Sequence, residues 1–363
     1  MPEMQFDFDG LIQLLAGHLY SEKKVFIREL VQNAHDAVQR RAHVDADFSA
    51  ASTGRIDIIP SLAEEPGHII FRDNGIGVSK KDLEDFLSSI GTSGTRLARD
   101  RDEVPDVIGQ FGIGFLAGFV VASRIEVRTR HYKEKSAAKG WLWKNEGKKE
   151  YTLEPCDVPS PGTEIRVFLQ DVTDRGLIQN DAIREVIRSY ADMLKVPIYL
   201  NRSEEPINSR IMPWEREYSS DRERDLEYQI YLAKAVPDSV LEVIPFHVDT
   251  EEDGIRLRAD GLLYVTRTRR VAGDTPRTIR LFQKRMFVCE NTPEIFPRWA
   301  VFINGILNTP DLRPNAARDN FVRDESYGLL REKIGEAVIA YFEYLGKSDP
   351  DRLSHILAYH DLA

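Results

Sequence analysis

Cysteine is almost missing from this chain of 363 residues: Cys156 and Cys289 are the only two, far apart and without Cys-x-x-Cys spacing. That argues against a disulfide framework and against a cysteine-ligated zinc site. Long apolar runs are lacking too. No stretch approaches the ~18 residues of a membrane-spanning helix, and the first residues show no basic-then-apolar leader pattern. Nor is there an excess of positive charge. Lys and Arg number 49 against 59 Asp and Glu, a net charge of −10, which argues against a general nucleic-acid binder. The short basic run Arg267-Thr268-Arg269-Arg270 reads as a solvated strand end or loop. No repeat or low-complexity segment is present. What remains is 42% hydrophobic and 30% charged, the balance of a soluble protein with ample core. The length predicts about two or three domains. The expectation is a cytoplasmic protein with neither membrane nor nucleic acid as partner.

The most informative stretch is Phe26-Ile27-Arg28-Glu29-Leu30-Val31-Gln32-Asn33-Ala34-His35-Asp36-Ala37. Its apolar positions follow a helical period, and Glu29, Asn33 and Asp36 stand at i, i+4 and i+7, on one face. Two readings stay open. The three polar residues form a solvated face, as such stripes usually do. Alternatively they point into a pocket, where a carboxylate, a carboxamide and a second carboxylate suit water activation and metal ligation beside a nucleotide.

Two glycine-bearing loops follow. In Ile69-Ile70-Phe71-Arg72-Asp73-Asn74-Gly75-Ile76-Gly77-Val78 a short apolar strand ends at Asp73, and two glycines turn the chain. This is either a plain turn, since Asn-Gly favours one, or a pocket floor with Asp73 accepting a hydrogen bond from a base. The second loop, Gly109-Gln110-Phe111-Gly112-Ile113-Gly114-Phe115, precedes an apolar segment and suits a cradle of backbone N–H groups for phosphate. It is neither a Walker A loop nor a dinucleotide fingerprint.

Taken in order, Glu29 and Asn33, the Asp73 loop, the Gly109 loop and Gly162-Thr163-Glu164-Ile165 resemble the four boxes of the GHKL ATPases. Within them the chain is similar to the heat-shock protein 90 family, through residues 19–30, Ile90-Gly91-Thr92-Ser93-Gly94-Thr95, Ile108–Phe115 and residues 143–151. The likeness continues in Leu281-Phe282-Gln283-Lys284-Arg285-Met286-Phe287-Val288, in Trp299–Ile306 and in Leu312-Arg313-Pro314-Asn315-Ala316-Ala317-Arg318-Asp319. It covers residues 5–345.

The resemblance implies roles. Glu29 would be the general base, and Asn33 would ligate Mg²⁺ on the phosphates. Asp73 would bind the adenine amino group, supported by Thr163. Gly77 would leave room for the base, and Asp36 would line the pocket. Gly109, Gly112, Gly114 and Phe115 would wrap the triphosphate of ATP or ADP. Arg318 would stabilise charge on the γ-phosphate, with Asn315 holding its loop. The fold implied is α/β, a two-layer α+β sandwich of the GHKL type over residues 1–205. A charged linker would cover 206–224, a second α/β domain with the arginine loop 225–345, and the truncated start of a further helical segment 346–363. Residues 4–9 alternate like an edge strand that would swap between protomers. The implied function is ATP-dependent clamping on client proteins, with a homodimer paired through the N-terminal domains. Two alternatives stand beside it: a DNA-linked GHKL ATPase of the mismatch-repair type, and a nucleotide-binding scaffold with little turnover.

The chain departs from the family pattern in places. In the lid, Gly91-Thr92 abuts Ser93-Gly94-Thr95, so a phosphate-contacting lysine is missing there; Lys80, Lys81 and Arg96 are the nearby substitutes. His35 stands where a serine is common, Pro314 precedes Asn315, and Val322 stands where a glutamine is often found.

Overall fold

Helix α1, Val25–Val44, has no glycine or proline to interrupt it. Phe26, Ile27, Leu30, Val31 and Val38 are fully buried along it. Each such side chain contributes about 1.5–3 kcal/mol through burial. Phe26 meets Phe71 edge-on, with ring centroids 6.2 Å apart. The helix stops at Asp45, whose carboxylate takes a 3.0 Å hydrogen bond from Arg41 Nε and whose backbone N–H bonds Arg41 O. The computed structural model describes residues 22–87, 114–135, 139–148, 150–268, 278–290, 293–315 and 318–360. The expected edge strand at residues 4–9 and the lid at 90–95 lie outside these residues. The chain divides into two compact units between Arg210 and Ile211.

In the first unit, strands β1 (Ile56–Ser61), β2 (His68–Asp73), β3 (Ala122–Arg130), β4 (Gly140–Asn145), β5 (Tyr151–Cys156), β6 (Gly162–Leu169) and β7 (Ile198–Leu200) form one sheet. Their spatial order is β5-β4-β3-β6-β2-β1-β7. Neighbours are antiparallel except β1 and β7, which run parallel. The two-residue period of the strands splits the sheet into unlike faces. Ile69, Phe71, Ile125, Val127 and Val167 are buried on one face, where α1 packs against β1 and β2. The other face carries charge pairs: Arg72–Glu164 at 2.6 Å, Arg124–Glu126 at 3.3 Å and Arg166–Glu164 at 3.4 Å. Helix α2 (Lys80–Leu87) follows the Asp73 loop, and α3 (Asn180–Tyr190) buries Ile183, Val186 and Ile187. The mixed architecture is the α/β arrangement expected.

Residues 206–224 read from composition as a linker. Their first part is stitched to the first unit: buried Asn208 accepts from Ile198 N at 2.9 Å and donates to Leu194 O and Val196 O. Their last part opens helix α4 (Asp221–Ala235), whose N-cap Ser220 accepts from Glu223 N.

The second unit holds a five-stranded sheet of order β11-β10-β12-β9-β8. Its strands are β8 (Val240–Glu252), β9 (Ile255–Thr266), β10 (Ile279–Gln283), β11 (Met286–Glu290) and β12 (Ile303–Thr309). Strands β10 and β12 are parallel. The long β8–β9 hairpin turns at Asp253-Gly254 with φ of 50° and 79°, the left-handed pair that a tight hairpin needs. Helix α5 (Glu325–Ser348) lays Leu330, Ile334, Val338 and Leu345 into the core, at spacings of four, four and seven residues. Helix α6 (Pro350–Tyr359) is capped by Asp349. It is also held by Arg352, which donates two 2.7 Å hydrogen bonds to the Glu242 carboxylate.

Candidate functional site

Helix α1 is covered on its polar side as well as on its apolar one. Glu29 is 5% exposed and Asp36 3% exposed, and Asn33 is half-buried. Arg28, Gln32, His35 and Gln39 are buried with them. Advancing 100° per residue, the buried polar residues sweep one continuous side of the helix. A solvated stripe would leave them in water, and burying this much polarity is costly unless it is used. Arg28, Gln32 and Gln39 were not singled out by sequence pattern; only their neighbours' spacing pointed toward them.

Glu29 Oε1 accepts from Arg28 Nε at 3.2 Å and from Nη2 at 3.0 Å. The Arg28 guanidinium carbon lies 5.5 Å from the Tyr190 ring centroid, within reach of a cation–π contact. His35 Nε2 lies 3.2 Å from Gln39 Nε2, and His35 Nδ1 lies 3.6 Å from Asp36 Oδ1.

Asp73 closes β2 and is flanked in register by Ile56 on β1 and Thr163 on β6. Its carboxylate accepts a 2.8 Å hydrogen bond from Gly75 N. Burial pushes the Asp73 carboxyl up to about 7, against the smaller opposing pull of backbone N–H groups from Gly75 and Thr163. Among the described residues no cation pairs with it. Thr163 sits opposite Thr129 on β3, with hydroxyl oxygens 3.1 Å apart. Thr129 Oγ1 donates to Gly162 O at 2.9 Å and accepts from Val78 N at 2.9 Å. This threonine pair ties the Asp73 loop to two strands, and sequence spacing gave no sign of Thr129.

The loop glycines are set by close packing. A Cβ on Gly75 would lie 2.4 Å from the Ala37 carbonyl carbon, and Ile76 N donates to Ala37 O at 2.9 Å. Gly77 has φ of +68°, and its Cβ direction is filled by Arg130 O at 2.0 Å. The Asp73 loop is thereby pressed onto α1 at Ala37 and Val38, the helix that also carries Glu29, Asn33 and Asp36, while Thr163 pairs with Asp73 in register. Gly114 opens a short 3-10 helix through Val120 that includes Phe115 and lies against α1. Gly109 and Gly112 lie outside the described residues.

Arg318 belongs to the second unit. It is buried, with φ of 54°, a left-handed conformation that costs a non-glycine residue about 1 kcal/mol or more. Asn315 holds its loop. Arg318 N donates to Asn315 O at 3.1 Å, Asn315 N to Asn320 O at 2.8 Å, and Asn315 Nδ2 to Asp319 Oδ1 at 2.7 Å. Gln283 Nε2 anchors the loop's start by donating to Leu312 O at 2.9 Å. Such strain persists only where the surrounding structure over-determines it.

Among the described residues no three His, Cys, Asp or Glu side chains cluster as a metal site, and no helix is long and apolar enough to cross a membrane.

Residues 20–166 match the family model described as histidine kinase-, DNA gyrase B-, and HSP90-like ATPase. Residues 227–360 match the one described as Hsp90 protein. The chain is 29% identical over 371 residues to the chaperone protein HtpG of Wolinella succinogenes, covering 95% of this chain and 58% of that protein. It is 32% identical over 350 residues to HtpG of a Methylobacterium species and 30% identical over 348 residues to HtpG of Methylorubrum extorquens; each covers 91% of this chain and 54% of the relative. The chain thus spans little more than half the length of the curated relatives it matches. A match to the Hsp90 model after the ATPase model disfavours the mismatch-repair alternative. The chain belongs to the heat-shock protein 90 family.

Proposed function

We propose that this chain binds and hydrolyses ATP and uses the cycle to drive clamping on client proteins, as an ATP-dependent chaperone of the cytoplasm. One observation carries the nucleotide reading: α1 buries a continuous polar side, and the loop packed on that helix begins at Asp73, a buried carboxylate met among the described residues only by backbone N–H groups. A purine amino group is a donor of the kind such an acceptor needs. The ionised carboxylate binds that amino group, and Thr163 steadies the acceptor through the Thr129 pair. Glu29 takes the proton of the attacking water. Its Oε1 is held by Arg28, which fixes the carboxylate's direction.

Asn33 offers a neutral oxygen to Mg²⁺. Such an ion, held there by Asn33, would supply neutralisation of the charge that develops on the phosphates. Gly109, Gly112, Gly114 and Phe115 supply backbone contacts to the phosphates. Arg318 stabilises the γ-phosphate as it leaves. Its strained loop is suited to a conformational step that gates turnover. The domain limits expected from sequence and pairing through N-terminal domains belong to the same proposal.

The test is calorimetric titration with ATP and Mg²⁺, followed by phosphate release. Wild type should bind and turn over slowly. Glu29→Ala should bind equally well and lose about a hundredfold or more in turnover, the usual weight of a general base. Failure of wild type to bind ATP defeats the proposal. Binding without turnover leaves the scaffold alternative. Suppression of client aggregation that requires ATP supports the chaperone part.

A further inference from the structure

His35 is a buried imidazole, 2% exposed, on the same helix as Glu29, Asn33 and Asp36. Its Nε2 lies 3.2 Å from the Gln39 amide nitrogen. A carboxamide nitrogen only donates, so Nε2 accepts and the ring's own proton resides on Nδ1. That Nδ1 has no hydrogen-bond partner among the described residues. The neighbouring Asp36 Oδ1 is 3.6 Å away, just beyond a hydrogen bond and well within electrostatic attraction. Gln39 thus orients the ring, and the ring presents an N–H to a buried carboxylate.

Asp36 stands three residues beyond Asn33 on the same side of α1, roughly one helical turn of 5 Å away. Asn33 is the residue assigned above to the metal on the phosphates. A buried carboxylate held at that distance repels a polyphosphate, and each donor that holds it aside eases that repulsion.

We propose that His35 is a positioning residue for nucleotide binding: its Nδ1–H draws the Asp36 carboxylate away from the bound phosphates. The inference rests on the nucleotide reading above and adds a specificity rule to it. The benefit of His35 grows with the number of phosphates on the ligand.

The experiment measures affinities of wild type, His35→Phe, His35→Asn and Gln39→Leu for adenosine, ADP and ATP by calorimetry, with melting temperature recorded without nucleotide. Phenylalanine keeps the ring's bulk and loses the N–H; asparagine offers an N–H near the position of Nδ1. The expected result is an ATP affinity about tenfold weaker in His35→Phe, a smaller loss for ADP and none for adenosine. His35→Asn should restore most of the difference. Gln39→Leu, which frees the ring without removing it, should show the same gradient more weakly and keeps the test available if His35→Phe folds poorly. In turnover, KM for ATP should rise while kcat holds, because Glu29 and Arg318 are untouched. Equal losses for all three ligands, or no loss for ATP, would overturn the proposal. If wild type binds none of the three, the nucleotide reading itself has failed; if wild type binds ATP and the gradient is missing, only the role of His35 has.

Discussion

Two buried carboxylates, one in each unit, have opposite surroundings. Glu242 in the second unit is fully partnered: Arg352 donates two hydrogen bonds of 2.7 Å, and Tyr341 Oη donates a third at 2.7 Å. Burial and the adjacent Glu242 push the Tyr341 hydroxyl upward, keeping it a donor. Asp73 in the first unit has backbone N–H groups and no cation among the described residues, and its own carboxyl is pushed up to about 7. The first carboxylate closes a structural network that fixes α5 and α6 to β8. The second retains acceptor capacity at the edge of a covered polar region. A fully satisfied buried charge reads as architecture; one left short of partners reads as a binding group. Glu29 lies between, with one cation, Arg28, on one of its oxygens.

The largest effect separating the two is on binding. Asp73→Asn should weaken ATP binding by roughly 2–3 kcal/mol, the range for a hydrogen bond to a charged group, while the nucleotide-free protein melts no lower than wild type. Unchanged affinity by calorimetry would remove Asp73 from the site. Glu242→Gln should do the reverse. It should cost about 1–3 kcal/mol of stability in the second unit, seen in denaturant unfolding, and leave ATP affinity unchanged. A loss of affinity without loss of stability would break the contrast.

A smaller effect follows from pH. The folded carboxyl of Asp73 is raised above its ordinary value of 3.8 to about 7. Its contribution to stability is therefore fully present below about pH 4 and is lost as pH rises through about 7. Binding runs the other way, because the ionised form accepts the adenine hydrogen bond. Adenosine, which carries no phosphate to titrate, should bind about tenfold more weakly at pH 6 than at pH 8. A flat profile in calorimetry would contradict the shift. The smallest effect is expected at the supporting threonine. Thr129→Val should weaken adenosine binding by about 1 kcal/mol, one neutral hydrogen bond, with phosphate release slowed only through KM.

Much of the first unit was legible in the chain itself. The 3.6-residue period placed Glu29, Asn33 and Asp36 on one side of α1, and the Asn-Gly signal placed the turn after Asp73. The family resemblance over Leu281–Val288 and Trp299–Ile306 implied strands, and β10, β11 and β12 of the second sheet run through those segments. What stayed hidden depends on coverage and register. Arg28, Gln32, His35 and Gln39 look the same in sequence whether water or protein lies over them. Thr129 reaches Thr163 only once β3 and β6 are paired, 34 residues apart. Glu242 and Arg352 meet across 110 residues, a separation no local pattern spans. Gly77 was expected to leave room for a base; the Arg130 backbone shows a packing demand at that position, as the Ala37 backbone does at Gly75.

Among the described residues Asp73 is a buried carboxylate with backbone N–H partners and acceptor capacity to spare for a donor. A pH titration of its side-chain carboxyl carbon by NMR, without nucleotide and then saturated with ADP, tests this most directly. A midpoint near 7 in the free protein that falls by about two units on binding, the equivalent of the 2–3 kcal/mol above, is the predicted result. A midpoint near 3.8 in the free protein, unmoved by ADP, would contradict it.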